Sequence, residues 1–136
     1  DKISINRNLL VQALHLLHKA ELLHIFYKQN KSISILTKPD KIWLHNPNLA
    51  FAISNELPNI GNLRETFFIQ HISIDHNVAL PLKGDFVINN LYTFEIGGKN
   101  KTQDQVKKLN HAFIVKDNIE SGTLNTIPLW LFGMLY

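Results

Sequence analysis

Asn89-Asn90 separates two runs of strand-forming residues, 84–88 and 91–96, and no other feature restricts the fold so tightly. Asparagine tolerates positive φ, so the pair favours a tight reversal between antiparallel strands. With a three-residue loop, the reversal sets Asp85 directly opposite Glu95, both on one side of the sheet. Cross-strand partners hold their Cβ atoms about 5 Å apart. The turn thus predicts a hairpin and a pair of neighbouring carboxylates.

The surrounding pattern is helix, three strands, helix, strand. A helix is expected over 61–73, with Leu63, Phe67, Phe68, Ile69 and Ile72 as its apolar members. Strands follow at 77–80, 84–88 and 91–96, then a short polar helix over 102–109. Ala112-Phe113-Ile114-Val115 is a continuous apolar run of the kind buried inside a sheet. Gly122 marks a loop, and Pro128 suits the first turn of a closing helix. The fold class is α/β (α+β), a mixed sheet flanked by helices.

The first half reads differently. Ser4 or Asn6 can cap a helix over 7–19, with Leu9, Leu10, Ala13, Leu14, Leu17 and Ala20 as its expected buried stripe. Extended runs at 22–28 and 32–36 flank a turn at Gln29-Asn30-Lys31, and 41–45 is a third short strand. Asn46-Pro47-Asn48 starts a short helix to about Ser54, and 55–61, with Pro58 and Gly61, is the candidate linker. A helix followed by a β-wing is the layout of a winged helix, with its earlier helices upstream of Asp1. Two units result: a winged-helix-like segment over 1–54 and an α/β domain over 55–136.

Composition limits the function classes. The chain has 136 residues, 45% hydrophobic and 18% charged, which buries a core and excludes disorder. Fourteen basic against eleven acidic residues give a net charge of +3, which permits a phosphate-rich partner without requiring one. The absence of cysteine excludes disulfides and thiolate metal sites. No apolar run reaches membrane-span length and no signal peptide is visible, so a cytoplasmic protein is expected. A start at Asp1-Lys2 suggests a fragment of something longer.

Two facing carboxylates repel unless a cation lies between them. Asp85 and Glu95 are therefore the candidate metal ligands. Magnesium suits them, because it takes one or two carboxylates and completes its shell with water and phosphate oxygens. A lysine beside such a site orients the attacking water or neutralises charge on the phosphoryl group. It is expected two residues after the glutamate, where Gly97 stands; Lys99 lies roughly 6–7 Å further along the strand. Gly97-Gly98 could bulge and swing Lys99 back. Glu65 is the candidate third acid, from the preceding helix, and Gln105 a candidate contact to phosphate or water. The alternative is a surface hairpin with scattered charges.

The strings Asn62-Leu63-Arg64-Glu65-Thr66-Phe67-Phe68, Gly84-Asp85-Phe86, Phe94-Glu95-Ile96-Gly97-Gly98-Lys99-Asn100-Lys101 and Ile127-Pro128-Leu129-Trp130-Leu131-Phe132-Gly133 occur in that order. Together they resemble the C-terminal region of prokaryotic AAA+ superfamily ATPases. In those proteins an ATPase domain is followed by a winged helix and then by a restriction-endonuclease-like domain of uncharacterised function. Ser4-Ile5-Asn6-Arg7-Asn8 with Leu16, Ala20 and Leu22-Leu23 is similar to that winged helix, and 41–49 to the joining segment. The resemblance implies an accessory domain, nucleic-acid-associated or regulatory, with a degenerate nuclease-like site in which Glu65 is the helix acid, Asp85 and Glu95 are the strand acids, and the lysine has no strict counterpart because Gly97 stands in its place. It also implies an upstream ATPase domain as partner. ATP binding belongs to that domain, since this chain has no G-x-x-x-x-G-K-[ST] string. A Mg-dependent nuclease and a protein-interaction module are the alternatives.

Asn8, Gln12, His15 and Lys19 form a polar stripe on the first helix, which would enter a major groove if the segment bound DNA. Lys28 and Lys31 at the wing, and Lys101 beyond the acidic hairpin, would touch backbone phosphate. The alternative for the stripe is a solvent face or a surface docking the ATPase domain. Seven histidines invite a metal reading, but His15 with His18, and His71 with His76, lack a third ligand at a fixed spacing. The apolar tail 128–136 is expected to close the sheet; the alternative is a contact face for another subunit.

Overall fold

A computed structural model describes residues 6–28, 38–104 and 106–135. Its centre is a five-stranded mixed sheet in the order β3 (Val78–Ala79), β4 (Phe86–Ile88), β5 (Tyr92–Gly97), β6 (Ala112–Lys116), β7 (Thr126–Pro128). β3, β4 and β5 pair antiparallel, whereas β5–β6 and β6–β7 are parallel. The reversal after β4 forms as its residues require. Asn89 and Asn90 take φ of 52° and 56°, and the Leu91 amide donates to the Ile88 carbonyl at 3.0 Å. Phe86 then pairs with Phe94 and Ile88 with Tyr92.

Strand alternation divides the sheet into two buried faces. Phe86, Ile88, Phe94, Ile96 and Val115 join the main core, packed against Phe68, Ile69 and Ile72 of helix α3 (Ile60–Ile72). Phe68 lies 5.2 to 5.7 Å from the rings of Phe94 and Phe86, and 4.7 Å from Phe132. The second face carries Thr93, Glu95 and Ile114, all buried. The segment after β5 lies over it and supplies the buried Val106.

That segment is not the helix expected over 102–109. Among the described residues it is a series of turns, with Lys107 donating to the Gln103 carbonyl and Leu109 to that of Val106. Thr102 spends its hydroxyl on the Asp104 carboxylate at 2.6 Å, and Val106 is the only buried residue among those described in the segment. A short polar stretch does not recover the cost of helix nucleation. Gln105 lies outside the described residues. The chain end differs as well. β7 was not expected, and the closing helix is a 3-10 helix over Leu129–Met134 that buries Leu129 and Phe132. Pro128 is tolerated in β7 because that strand is an edge of the sheet. Trp130, Leu131, Met134 and Leu135 remain exposed.

Helix α1 (Arg7–Lys19) has the expected bounds, with the Asn6 side chain accepting from the Asn8 amide at 2.8 Å. Its buried stripe differs from expectation. Val11 is the buried residue, whereas Leu9, Leu10 and Leu17 are 59%, 47% and 39% exposed. The cause is the size of its neighbour: α1 packs chiefly on the short strand β1 (Leu23–Phe26), which covers only one line of the helix. β1 pairs antiparallel with β2 (Lys41–Leu44), and helix α2 (Pro47–Ile53) follows, capped by Asn46. The run 32–36 and the turn Gln29-Asn30-Lys31 lie outside the described residues. Trp43 of β2 reaches the same core as α3, 5.1 Å from the Phe86 ring.

Phe68 is fully buried among three phenylalanine rings. Phe68→Ala should lower the unfolding free energy by about 3–5 kcal/mol in urea denaturation.

Candidate functional site

The acidic pair is set by the start of β4. The Asp85 amide donates to the Phe94 carbonyl at 2.9 Å, and its carboxylate accepts from the Ile96 amide at 2.7 Å. The aspartate thus completes the ladder with its side chain where the regular pairing ends, and it lies beside β5 near Glu95. Gly84 precedes it with a φ of 90°, and a Cβ there would meet the Thr93 side chain at 2.8 Å. Only glycine lets the chain enter β4 along this path.

Glu95 is 1% exposed, an unusual place for a carboxylate. Its Oε1 receives the Lys101 ammonium at 2.5 Å, while its Oε2 has no hydrogen-bond partner among the described residues. Lys101 arrives through a turn in which its amide donates to the Gly98 carbonyl at 2.9 Å. Its stem lies against the α-carbon of Gly97. A Cβ built there would meet Cβ, Cγ and Cδ of Lys101 at 2.7–2.8 Å. The space a side chain at position 97 would fill is therefore occupied by a lysine from four residues on. Lys99 is exposed on the turn, and the lysine at Glu95 is Lys101.

Glu65 projects from α3, and its Oε2 accepts from the Trp43 indole at 2.9 Å. Its pKa is raised by burial and then by the charge of Asp85; the indole bond and the charges of Lys41 and Lys101 oppose the rise. Burial acts to lower the pKa of Lys101, but the bond to Glu95 and the charges of Glu95, Asp85 and Glu65 outweigh it, and the net shift is upward. All three carboxylates thus act on Lys101. Arg64 supports the site from beneath. It pairs with Asp117 at 2.9 Å, and its guanidinium would lie 3.3–3.4 Å from a Cβ on Gly98. The Asp117 amide donates to the Gly97 carbonyl at 2.9 Å. Sequence reasoning missed Trp43, Arg64 and Asp117; the first two lie within the strings that carry the family resemblance.

Hard carboxylate oxygens, one of them buried and without a partner among the described residues, suit a divalent cation such as Mg2+. Asp85 and Glu95 are the residues that would hold it. No group of three or more histidines and acids among the described residues is arranged to hold a metal ion, so water and phosphate oxygens would complete the shell.

The residues expected to touch nucleic acid are dispersed. Asn8, Gln12 and Lys19 are exposed on α1, while His15 is half-buried and its Nε2 lies 3.2 Å from the Tyr27 hydroxyl. Lys31 lies outside the described residues, and Lys101 belongs to the acidic site. Lys19 and Lys28 line one open cleft of about 1110 Å³ with His18, His24 and His45. Burial, then the neighbouring His45 and His18, hold the His24 pKa down at about 4. No family model, curated protein or solved structure matches this chain.

Two outcomes follow from these geometries. Lys101→Met leaves a buried carboxylate without its counter-charge, so stability should fall by on the order of 3 kcal/mol in chemical denaturation. His24 is neutral when folded but takes a proton near its ordinary 6.5 when unfolded. Its contribution to stability is therefore whole above pH 6.5 and is lost as pH falls to about 4, a change of about 3 kcal/mol. His24→Leu should flatten that limb of a stability–pH curve.

Proposed function

We propose that this chain is a nucleic-acid-associated accessory module of an AAA+-type ATPase, whose acidic site binds a divalent cation and a phosphate group. The observation that carries the reading is the Lys101 stem lying in the space over Gly97 with its ammonium on Glu95. An acidic pair and a lysine on two adjoining strands is the arrangement a nuclease-like site needs, and here the lysine comes from a later position. The element order also supports it: α3, an antiparallel β3–β4–β5 meander and a crossover to the parallel β6.

Each residue has a role in that reading. Asp85 and Glu95 hold the cation, and Lys101 neutralises charge on the phosphoryl oxygens. Glu65, with its raised pKa, can carry a proton beside them. When bound, Mg2+ supplies Lewis-acid polarisation of the phosphate. The upstream ATPase domain is the covalent partner and the place where ATP binds, with the whole in the cytoplasm. Among the described residues no helix is long and apolar enough to cross a membrane.

Titration calorimetry with Mg2+ or Mn2+ tests the site. The chain should bind, and Asp85→Ala should abolish binding; a silent titration of the unmodified chain would overturn the reading. Cleavage of DNA in Mg2+ that is lost in Lys101→Met would extend the site from phosphate binding to hydrolysis. A second reading, docking of the ATPase domain or another partner, is favoured by the leucines that α1 leaves exposed. Replacing Leu9 and Leu16 with serine should then weaken co-purification with that domain without changing cation binding.

A further inference from the structure

We propose that the cleft between the α1–β1 unit and the β3 edge is a second, separate anion site that takes a phosphate group, either as free phosphate or within a polynucleotide backbone. It does not rest on the acidic site, since Glu65, Asp85, Glu95 and Lys101 are not among the described residues that line it. The cleft has a volume of about 1110 Å³, ample for a phosphate and what it is attached to.

Its lining is one-sided in charge. Lys19 and Lys28 are exposed in its lining, together with His18, His24, His45 and His76; Glu21 is the only carboxylate among the described lining residues. Asp40 lies behind Lys28, accepting from its amide at 3.0 Å. Tyr27, also in the lining, has its hydroxyl pKa raised by burial and by Asp40, so it stays neutral. At the end of α1 the Leu16, Leu17 and His18 carbonyls accept from the amides of Ala20, Leu22 and Glu21. At the end of α3 the Ile69 carbonyl accepts from both the amide and the hydroxyl of Ser73.

A buried polar atom supplies the second observation. His24 is 8% exposed, and its Nε2 has no hydrogen-bond partner among the described residues. Such an atom forfeits its hydration without return, which a ligand oxygen would restore. His45 stacks on it with ring centroids 4.4 Å apart, and His18 lies 6.5 Å away. The His18 Nδ1 is 2.8 Å from the Leu23 carbonyl, which can only accept, so the proton is on Nδ1. Burial, and then the charges of His45 and His18, oppose protonation of His24. A phosphate among them reverses that repulsion, so binding and proton uptake are coupled.

The test is calorimetry with inorganic phosphate and with a short single-stranded oligonucleotide, at about pH 6 and pH 7.5, with circular dichroism confirming the fold at both. Affinity should rise on the order of tenfold at the lower pH, in line with uptake of about one proton. Lys19→Gln with Lys28→Gln, both exposed and outside the core, should reduce it at both pH values. His45→Gln should remove most of the pH dependence. Histidine ring resonances should titrate at higher pH when phosphate is present. Binding of both ligands points to free phosphate as sufficient; binding of the oligonucleotide alone points to a backbone. The proposal is overturned if neither ligand binds the folded chain at pH 6, or if binding is unchanged in the lysine and His45 variants.

Discussion

The second face of the sheet depends on one ion pair. Glu95 sits where only apolar groups are ordinarily stable, and a lone carboxylate there would be costly by several kcal/mol. Lys101 removes most of that cost at one oxygen. To do so it must pass over Gly97, and the chain must turn back at Gly98 as soon as β5 ends. The path of the following segment, with Val106 set against Gly84 and Thr93, follows from that turn. The pair thus organises both a charge and a stretch of backbone that has no helix of its own.

The opposite face is ordinary by comparison, and that contrast is useful. Phenylalanines from α3, β4, β5 and the closing 3-10 helix interlock there, holding the strands whatever happens on the charged side. Rigid support of this kind lets a strained or charged cluster persist. Trp43 links the two worlds. Its ring packs in the core, its indole nitrogen holds Glu65, and Lys41 stacks on it at 5.2 Å.

What could be read from sequence was what short-range chemistry decides. The Asn89-Asn90 reversal, the Asn46 cap before Pro47 and the bounds of α1 all follow from side chains acting on their own backbone. The acids were legible for the same reason, since one turn fixes their register. What failed was decided by distant partners. The apolar stripe of α1 depends on what β1 can cover, and β7 exists only because β6 offers an edge. Among the described residues of 102–109, composition suggests a helix, but only Val106 finds burial, close to Gly84. The lysine itself was sought along the strand, where spacing is regular, and it came from beyond a turn, where spacing carries no geometric meaning.

Gly97 and Lys101 behave as two claimants to one volume. A side chain at 97 and the stem at 101 cannot both keep their places, because the first would stand 2.7 Å from the second and one must shift. The strand can supply its own lysine, or it can be bare and receive one from outside, but not both. A Gly97→Lys change alone would therefore not add a cation to the site; it would evict the one already there. Recovering the charge would take a paired exchange, with the stem at 101 cut back as the new one is installed. Position 97 is in this sense a socket, and its lack of a side chain is what lets Lys101 reach Glu95.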